Sequence, residues 1–326
     1  MSGPLIIAIP SKGRLKEQAE AWLADSGFRL EIDGGARGYS ATIKGLPRAE
    51  VRLLSASDIA AALDTGEIHL GVTGEDVIRE RGDDVDARVM LLRALGFGRA
   101  DLVVAAPQSW IDVDTMIDVE EVAHLYLART GQRLRVATKY GVQTRAFFAR
   151  CGIADYRIVD SQGATEGAPA AGAAELIVDI TTTGATLLAN NLKIVSDGVI
   201  LKSEAQLAAS LAAPWSPEIF VAARRLVRVV EARGRAKALS SMRWPAEFDG
   251  PAGRAVKRFL DQGATRRSEG LFIPAGDMFD AAEALTDAEV GPVSVSRPDY
   301  VFEASSQVIE ALAAKLSAAG HAMATA

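Results

Sequence analysis

The sequence predicts an α/β fold, and three stretches of one design point to it. Each is a short apolar run, then a turn rich in glycine and polar residues, then helix-compatible sequence. They are Leu5–Ile9 before Pro-Ser-Lys-Gly-Arg (10–14), His69–Val72 before Thr-Gly-Glu-Asp (73–76), and Leu176–Ile180 before Thr-Thr-Thr-Gly-Ala-Thr (181–186). Continuous apolar runs of this length suit strands buried on both faces, as in parallel sheets covered by helices.

The first junction places Lys12, Gly13 and Arg14 between a strand and the amphipathic stretch Leu15–Ser26. Two basic side chains and a helix N-terminus in one turn make an anion-friendly geometry, though a solvated basic turn would read the same. Phe28–Val51 reads as hairpin-like strands and loops, with Arg37 a weak candidate for a phosphate contact, and Ser57–Asp64 as a short helix. At the second junction Thr73 and Gly74 are the site candidates, because backbone can approach a ligand closely there. Glu75 and Asp76 read as ordinary charge at a helix start. Leu91–Arg99 and Asp101–Ala106 look like a crossing into a new domain, with Phe97 between Gly96 and Gly98 as a hinge.

Within that second domain, helices are expected over Asp112–Arg129 and Val142–Cys151, and strands over Leu134–Ala137 and Tyr156–Val159. The third junction carries the strongest chemistry. Asp179 interrupts the apolar run Leu176–Ile180, and Asp is rarely buried without a partner or a task. Thr181, Thr182, Thr183, Gly184, Ala185 and Thr186 then form a hydroxyl-rich turn. Backbone amides there can converge on an anion, and Thr183 and Thr186 can add hydroxyl donors. Donors for a phosphate beside an acceptor for neighbouring hydroxyls are what a sugar phosphate requires. A Thr-rich helix cap is the plainer alternative. Beyond Asn191, Leu192–Leu201 reads as strands around an Asp197-Gly198 hairpin, Ser203–Leu211 as a helix, and Ser216–Arg233 as a long helix. Arg224, Arg225 and Arg228 on that helix are read as a solvated or interface face. Residues 241–326 read as an α+β tail behind a Pro/Gly linker.

Composition narrows the class. The 326 residues allow two or three domains, and 49% hydrophobic with 24% charged residues is ordinary for a globular protein. A net charge of −6 gives no global attraction to nucleic acid or anionic membrane. The lone Cys151 excludes an internal disulfide. Met1–Ile9 has no basic n-region, and no apolar stretch approaches the roughly 20 residues of a membrane span, so a cytoplasmic location is expected.

The wording Val-Asp-Ile-Thr-Thr-Thr-Gly-Ala-Thr (178–186) resembles the phosphoribosyl-pyrophosphate (PRPP) loop of phosphoribosyltransferases, and most of all that of the ATP phosphoribosyltransferases. Lys-Gly-Arg-Leu at 12–15, Gly-Val-Thr-Gly-Glu-Asp at 71–76, Ala-Thr-Lys-Tyr at 137–140 with Arg145, and the Gly163–Pro169 loop with Glu166 are similar to that family in the same order. Gly141 stands where the family usually has Pro, and Thr165 and Gly167 depart slightly. The resemblance implies two periplasmic-binding-protein-like α/β domains around a cleft: residues 1–95 with 192–240, and residues 96–191. The tail, 241–326, has about the length of a regulatory domain that binds histidine in long-form members, without that domain's usual wording or its closing strand.

The implied reaction joins N1 of the ATP adenine to C1′ of PRPP and releases pyrophosphate, the first step of histidine biosynthesis. It implies Mg²⁺ with no dedicated protein metal site, a homo-oligomer (dimer or hexamer), and histidine as a candidate inhibitor. By the same resemblance Asp179 and residues 181–186 hold PRPP. Lys12, Gly13, Arg14, Thr73, Gly74 and Glu166 face ATP or pyrophosphate, and Asp179, Lys12 and Arg14 carry catalysis. The competing reading is a cytoplasmic small-anion-binding protein of the same fold without catalysis; a member that is inactive without a partner subunit is a third.

Overall fold

The computed structural model describes residues 3–32, 40–245, 248, 250–267 and 270–321. The chain first lays down β1 (Leu5–Pro10), α1 (Gly13–Asp25), β2 (Arg29–Ile32), β3 (Ser40–Lys44), β4 (Ala49–Leu54), α2 (Ala56–Thr65), β5 (Leu70–Gly74), α3 (Glu75–Arg79) and β6 (Val89–Ala94). It then crosses to β7 (Ala100–Pro107), α4 (Met116–Thr130), β8 (Leu134–Thr138), α5 (Gly141–Arg150), β9 (Tyr156–Asp160), β10 (Leu176–Thr181), α6 (Ala185–Ala189) and β11 (Leu192–Ser203). It returns with β12 (Ala205–Ser210) and α7 (Pro217–Ala238). The tail adds β13 (Leu239–Arg243), α8 (Pro251–Asp261), β14 (Thr265–Arg267), β15 (Gly270–Pro274), α9 (Met278–Asp287), β16 (Ser294–Ser296) and α10 (Gln307–Ala318).

Among the described residues three sheets form, ordered β2-β3-β4-β1-β5-β12-β6, β11-β7-β10-β8-β9 and β14-β15-β13-β16. The central β1 runs parallel to β4 and β5, and β8 runs parallel to β9 and β10. The apolar runs of the three junctions therefore lie inside sheets, as their lack of alternation predicts. One face of the first sheet packs against α1 and α7 through Leu23, Leu226 and Val230, and the other against α2 through Ile59 and Leu63. Among the described residues no helix is long and apolar enough to cross a membrane.

Local sequence sets the helix ends. Ser55, Thr115, Ser216 and Ser306 each cap a helix by accepting a backbone N–H three residues on, and Thr115 forms a reciprocal capping box with Asp118. Gly66 and Gly131 close α2 and α4 in the left-handed conformation.

Three expectations are corrected. Ser203–Leu211 is not a helix: Ala205–Ser210 is a strand, wholly buried and antiparallel between β5 and β6. Its Ala-rich composition favours helix, but burial on both faces decides. Asp197-Gly198 is not a hairpin. It lies at a register shift within the single strand β11, where Asp197 accepts from the Met116 amide at 2.7 Å. A Cβ on Gly198 would meet Val195 Cβ at 2.8 Å, so the glycine serves close packing. Finally, β11 pairs with β7 in the second sheet, so the chain rejoins the first sheet at β12 rather than at residue 192.

The two crossings run side by side. The Leu95 amide donates to Ala205 O and the Ala205 amide to Phe97 O, both at 2.9 Å. Gly96 and Gly98 have φ of +76° and +64°, so Phe97 sits in a backbone bend that side chains would strain. The tail has its own core around Trp244, Val256, Phe259 and Leu271, yet α10 leaves it: Ile309, Leu312 and Leu316 pack into the core of the first sheet.

Candidate active site

A cavity of about 570 Å³ opens between the first two sheets. The three junctions meet at its walls: Arg14 from the start of α1, Gly74 from the end of β5, and Ile180 and Thr182 from the end of β10. The strand-to-helix design explains the convergence. Each strand delivers its polar turn to a sheet edge, and the two edges face each other across the crossing.

At the first turn, Lys12 is the N-cap residue of α1 and makes no side-chain cap bond, and Gly13 has φ of +72°. Lys12, Gly13 and Arg14 are all exposed, and Arg14 reaches the cavity wall. At the second turn Thr73 is fully buried and its hydroxyl donates to Ala56 O at 2.9 Å, tying β5 to α2. Gly74 forms the rim. A Cβ there would fall 2.2 Å from Asp76 Oδ1, so the glycine makes room for that carboxylate.

Asp76 is no solvated helix-start charge. It is 8% exposed, its Oδ2 accepts from the Tyr140 hydroxyl at 2.8 Å, and its Oδ1 accepts from Ser203 Oγ at 2.8 Å. Burial pushes the Tyr140 phenol far up, and the Asp76 carboxylate adds to this, so the hydroxyl stays a donor. Lys139 places its ammonium 5.1 Å from the Tyr140 ring centroid, and both residues line the cavity.

At the third turn Leu176, Ile177 and Val178 are fully buried and Asp179 is half-buried. Burial raises the Asp179 pKa, the Ile180 amide (2.8 Å) and Lys139 pull it down, and Glu166 pushes it up. Thr181 Oγ1 accepts from the Gly184 amide at 2.9 Å and Thr183 Oγ1 from the Ala185 amide at 3.4 Å. Those two amides are thus engaged within the turn, while Thr182, Thr183, Ala185 and Thr186 are exposed. Thr182 donates to Arg99 O at 3.4 Å, bridging the loop to the crossing strand. Gly184 adopts φ of +75°.

Of the expected site residues, Arg14, Gly74 and Thr182 wall one cavity. Lys12 and Gly13 adjoin it through Arg14; Asp179, Thr181 and Thr183 adjoin it through Ile180 and Thr182. Glu166 lies on the Asp179 side, close enough to act on its charge. Thr73 is fully buried and does not line the cavity. Arg37 lies outside the described residues. Asp76, Lys139 and Tyr140 were missed as chemistry. The signal was present in Lys139-Tyr140, which is a fourth strand–turn–helix junction between β8 and α5. Among the described residues no group of three or more His, Cys, Asp or Glu could hold a metal ion.

Known proteins resemble this chain. A family model named HisG, described as ATP phosphoribosyltransferase, matches residues 55–228. An ATP phosphoribosyltransferase of Caulobacter vibrioides (strain NA1000 / CB15N) is 69% identical over 316 residues, covering 97% of this chain and 99% of that relative. One from Bradyrhizobium diazoefficiens is 49% identical over 325 residues, covering 97% and 99%. Among solved structures, the ATP phosphoribosyl transferase (HisG:HisZ) complex from Thermotoga maritima aligns with a TM-score of 0.52 at 25% identity, over 70% of this chain and 98% of that one. With the family model spanning the crossings and the Thr181–Thr186 turn, and relatives alike over nearly its whole length, this chain belongs to the ATP phosphoribosyltransferases of histidine biosynthesis.

Proposed function

We propose that the cleft between the first two sheets is where this enzyme joins ATP to PRPP. N1 of the adenine attacks C1′ of PRPP, the C1′–O bond breaks with inversion, and pyrophosphate leaves with the bonding pair. The transition state is oxocarbenium-like at the ribose, so positioning and electrostatics carry the catalysis. The turn Thr181–Thr186 holds the 5′-phosphate through the hydroxyls of Thr182, Thr183 and Thr186. Asp179 accepts from the ribose hydroxyls; it has no basic side chain hydrogen-bonded to it among the described residues, which leaves its outer oxygen for substrate. Lys12, Gly13, Arg14, the Gly74 backbone and Glu166 face pyrophosphate or the ATP phosphates. The observation that carries this reading is that Arg14 and Thr182 wall one cavity.

Magnesium fits this donor set. The charge of Glu166 raises the cost of ionising Asp179, a setting a hard cation relieves, and Mg²⁺ keeps several waters with one or two carboxylate ligands. Asp179 and Glu166 would hold it, and when bound it neutralises charge on the leaving pyrophosphate. The remaining steps belong to the chain. Tyr140 and Phe97 narrow the cavity against water, which competes with adenine for C1′.

The chain acts as a homo-oligomer, dimer or hexamer, in the cytoplasm, and histidine is its inhibitor candidate through the third sheet. The experiment is pyrophosphate release with ATP and PRPP. Wild type turns over, and Asp179→Asn, which loses hydrogen bonds to a charged acceptor, falls at least about tenfold. Wild-type turnover in that variant removes Asp179 from the site.

A further inference from the structure

The first two α/β units meet again beside the cleft, where α3 of one abuts α5 of the other. Glu80, just past α3, reaches across: its oxygens accept from the amides of Val142 at 2.7 Å and Gln143 at 3.2 Å. These are the second and third residues of α5, whose own N-cap residue, Tyr140, makes no side-chain cap bond. A carboxylate at a helix's first turn satisfies its orphan amides and sits at the favourable end of its dipole. In α5 that cap is supplied by the opposite unit.

The bond is reciprocated. Gln143 Nε2 donates to Asp76 O at 2.9 Å and to Glu80 Oε2 at 3.4 Å, and the Tyr140 hydroxyl donates to Asp76 Oδ2. Asp76, Tyr140 and Gln143 are buried. Ser203, at the end of β11, adds a second tie: its hydroxyl donates to Asp76 Oδ1 at 2.8 Å and accepts from the Asp76 amide at 3.0 Å, beside the crossings where Gly96 and Gly98 bend the backbone. The first turn of α5 also carries Tyr140 into the cavity wall, with Lys139 beside it, while α3 follows Gly74 directly.

We propose that Glu80 is a positioning residue for the phosphoribosyl transfer: by capping α5 from across the unit boundary it sets the spacing between the Gly74–Asp76 rim and the Lys139–Tyr140 rim. It touches no substrate and acts through those rims. The proposal rests on the cleft being the active site.

The test uses full-length enzyme with steady-state kinetics for ATP and PRPP, and thermal melting alongside. Glu80→Ala is expected to lower kcat/KM at least about tenfold, since small misplacements at a reacting centre cost up to about a hundredfold. Its Tm should change by only a few degrees. Glu80→Gln, whose amide oxygen still accepts an N–H, should recover part of the loss. Adding Gln143→Ala to Glu80→Ala should lose no more than the worse single variant, because both act through one joint. Wild-type kcat/KM per folded molecule in Glu80→Ala overturns the proposal, as does a Glu80 and Gln143 pair whose losses multiply. Should Glu80→Ala not fold, Glu80→Gln decides: reduced kcat/KM at unchanged Tm supports the joint, and wild-type kinetics overturns it. An impaired Asp179→Asn beside an unimpaired Glu80→Ala refutes only the joint; an unimpaired Asp179→Asn refutes the cleft.

Discussion

Asp179 follows three fully buried residues of β10 and is itself half-buried. Burial raises its pKa, with Glu166 adding to the rise against the Ile180 amide and Lys139. Folding therefore favours its neutral form. That contribution is fully present below the unfolded value of about 3.9 and is lost as pH rises through the higher folded value. At pH 7 the charge is then a cost to the empty protein. Asp179→Asn should be more stable than wild type at pH 7 while turning over more slowly, and the stability gain should shrink toward zero below about pH 4; urea unfolding at both pH values measures it. Thr183→Val should raise the KM for PRPP about tenfold, the worth of one hydrogen bond to a charged group, with Tm unchanged because the side chain is exposed. An unchanged KM would argue that the turn does not hold phosphate. Asp179 was legible because a carboxylate interrupts an apolar run. Asp76 was not: beside Glu75 it looks like any helix-start acid, and only Tyr140 and Ser203, 64 and 127 residues away in the chain, separate the two.

The junction of β5 with α3 shows how an element sets the chemistry it carries. Gly74 has extended backbone, φ −68° and ψ 145°, so alanine is conformationally acceptable there. Its cost is steric alone: the added Cβ would lie 2.2 Å from Asp76 Oδ1 and displace the carboxylate from Ser203 or Tyr140. Gly74→Ala should lower kcat/KM about tenfold, through a rim displaced on the scale of an ångström, and enzyme kinetics beside circular dichroism checks it. The element scale also marks where sequence reading stops. Strands bounded by turns were readable from apolar runs, and α4 and α7 from the helical spacing of their apolar residues. Ala205–Ser210 was not, because Ala-Gln-Leu-Ala-Ala-Ser favours helix until β5 and β6 enclose it. Asp197-Gly198 misled for a related reason. A hairpin pair and a strand irregularity share a dipeptide, and only the Met116 amide and the packed Val195 distinguish them.

Across the whole molecule, the tail is not a detachable appendage. Its third sheet has a separate core, but α10 docks Ile309, Leu312 and Leu316 on the first sheet. The connecting segment is strapped down on the way: the Arg235 and Arg233 side chains donate to the backbone of Val301 and Asp299, at 2.9 and 3.0 Å. Leu312→Ala should therefore cost about 2–5 kcal/mol, the range for emptying a buried leucine site, and denaturant unfolding of full-length enzyme measures it. A loss under about 1 kcal/mol would mean that α10 only rests on the surface. The stretch 307–318 reads as a helix in sequence, but a helix reading names no partner, so its return to the first unit was unreadable. The same fact redirects the search for a histidine sensor. Ending the chain near Arg235 would uncover the first core, so point variants in the third sheet are the cleaner probe.

The central claim is that a threonine turn on one α/β unit and a basic turn on the other grip the two ends of PRPP. A crystal structure of the enzyme with PRPP and Mg²⁺ tests it most directly. We expect the 5′-phosphate against Thr181–Thr186, the ribose hydroxyls on Asp179, and the pyrophosphate directed toward Lys12 and Arg14. PRPP bound away from that turn, with Asp179 and Arg14 both facing solvent, would contradict it.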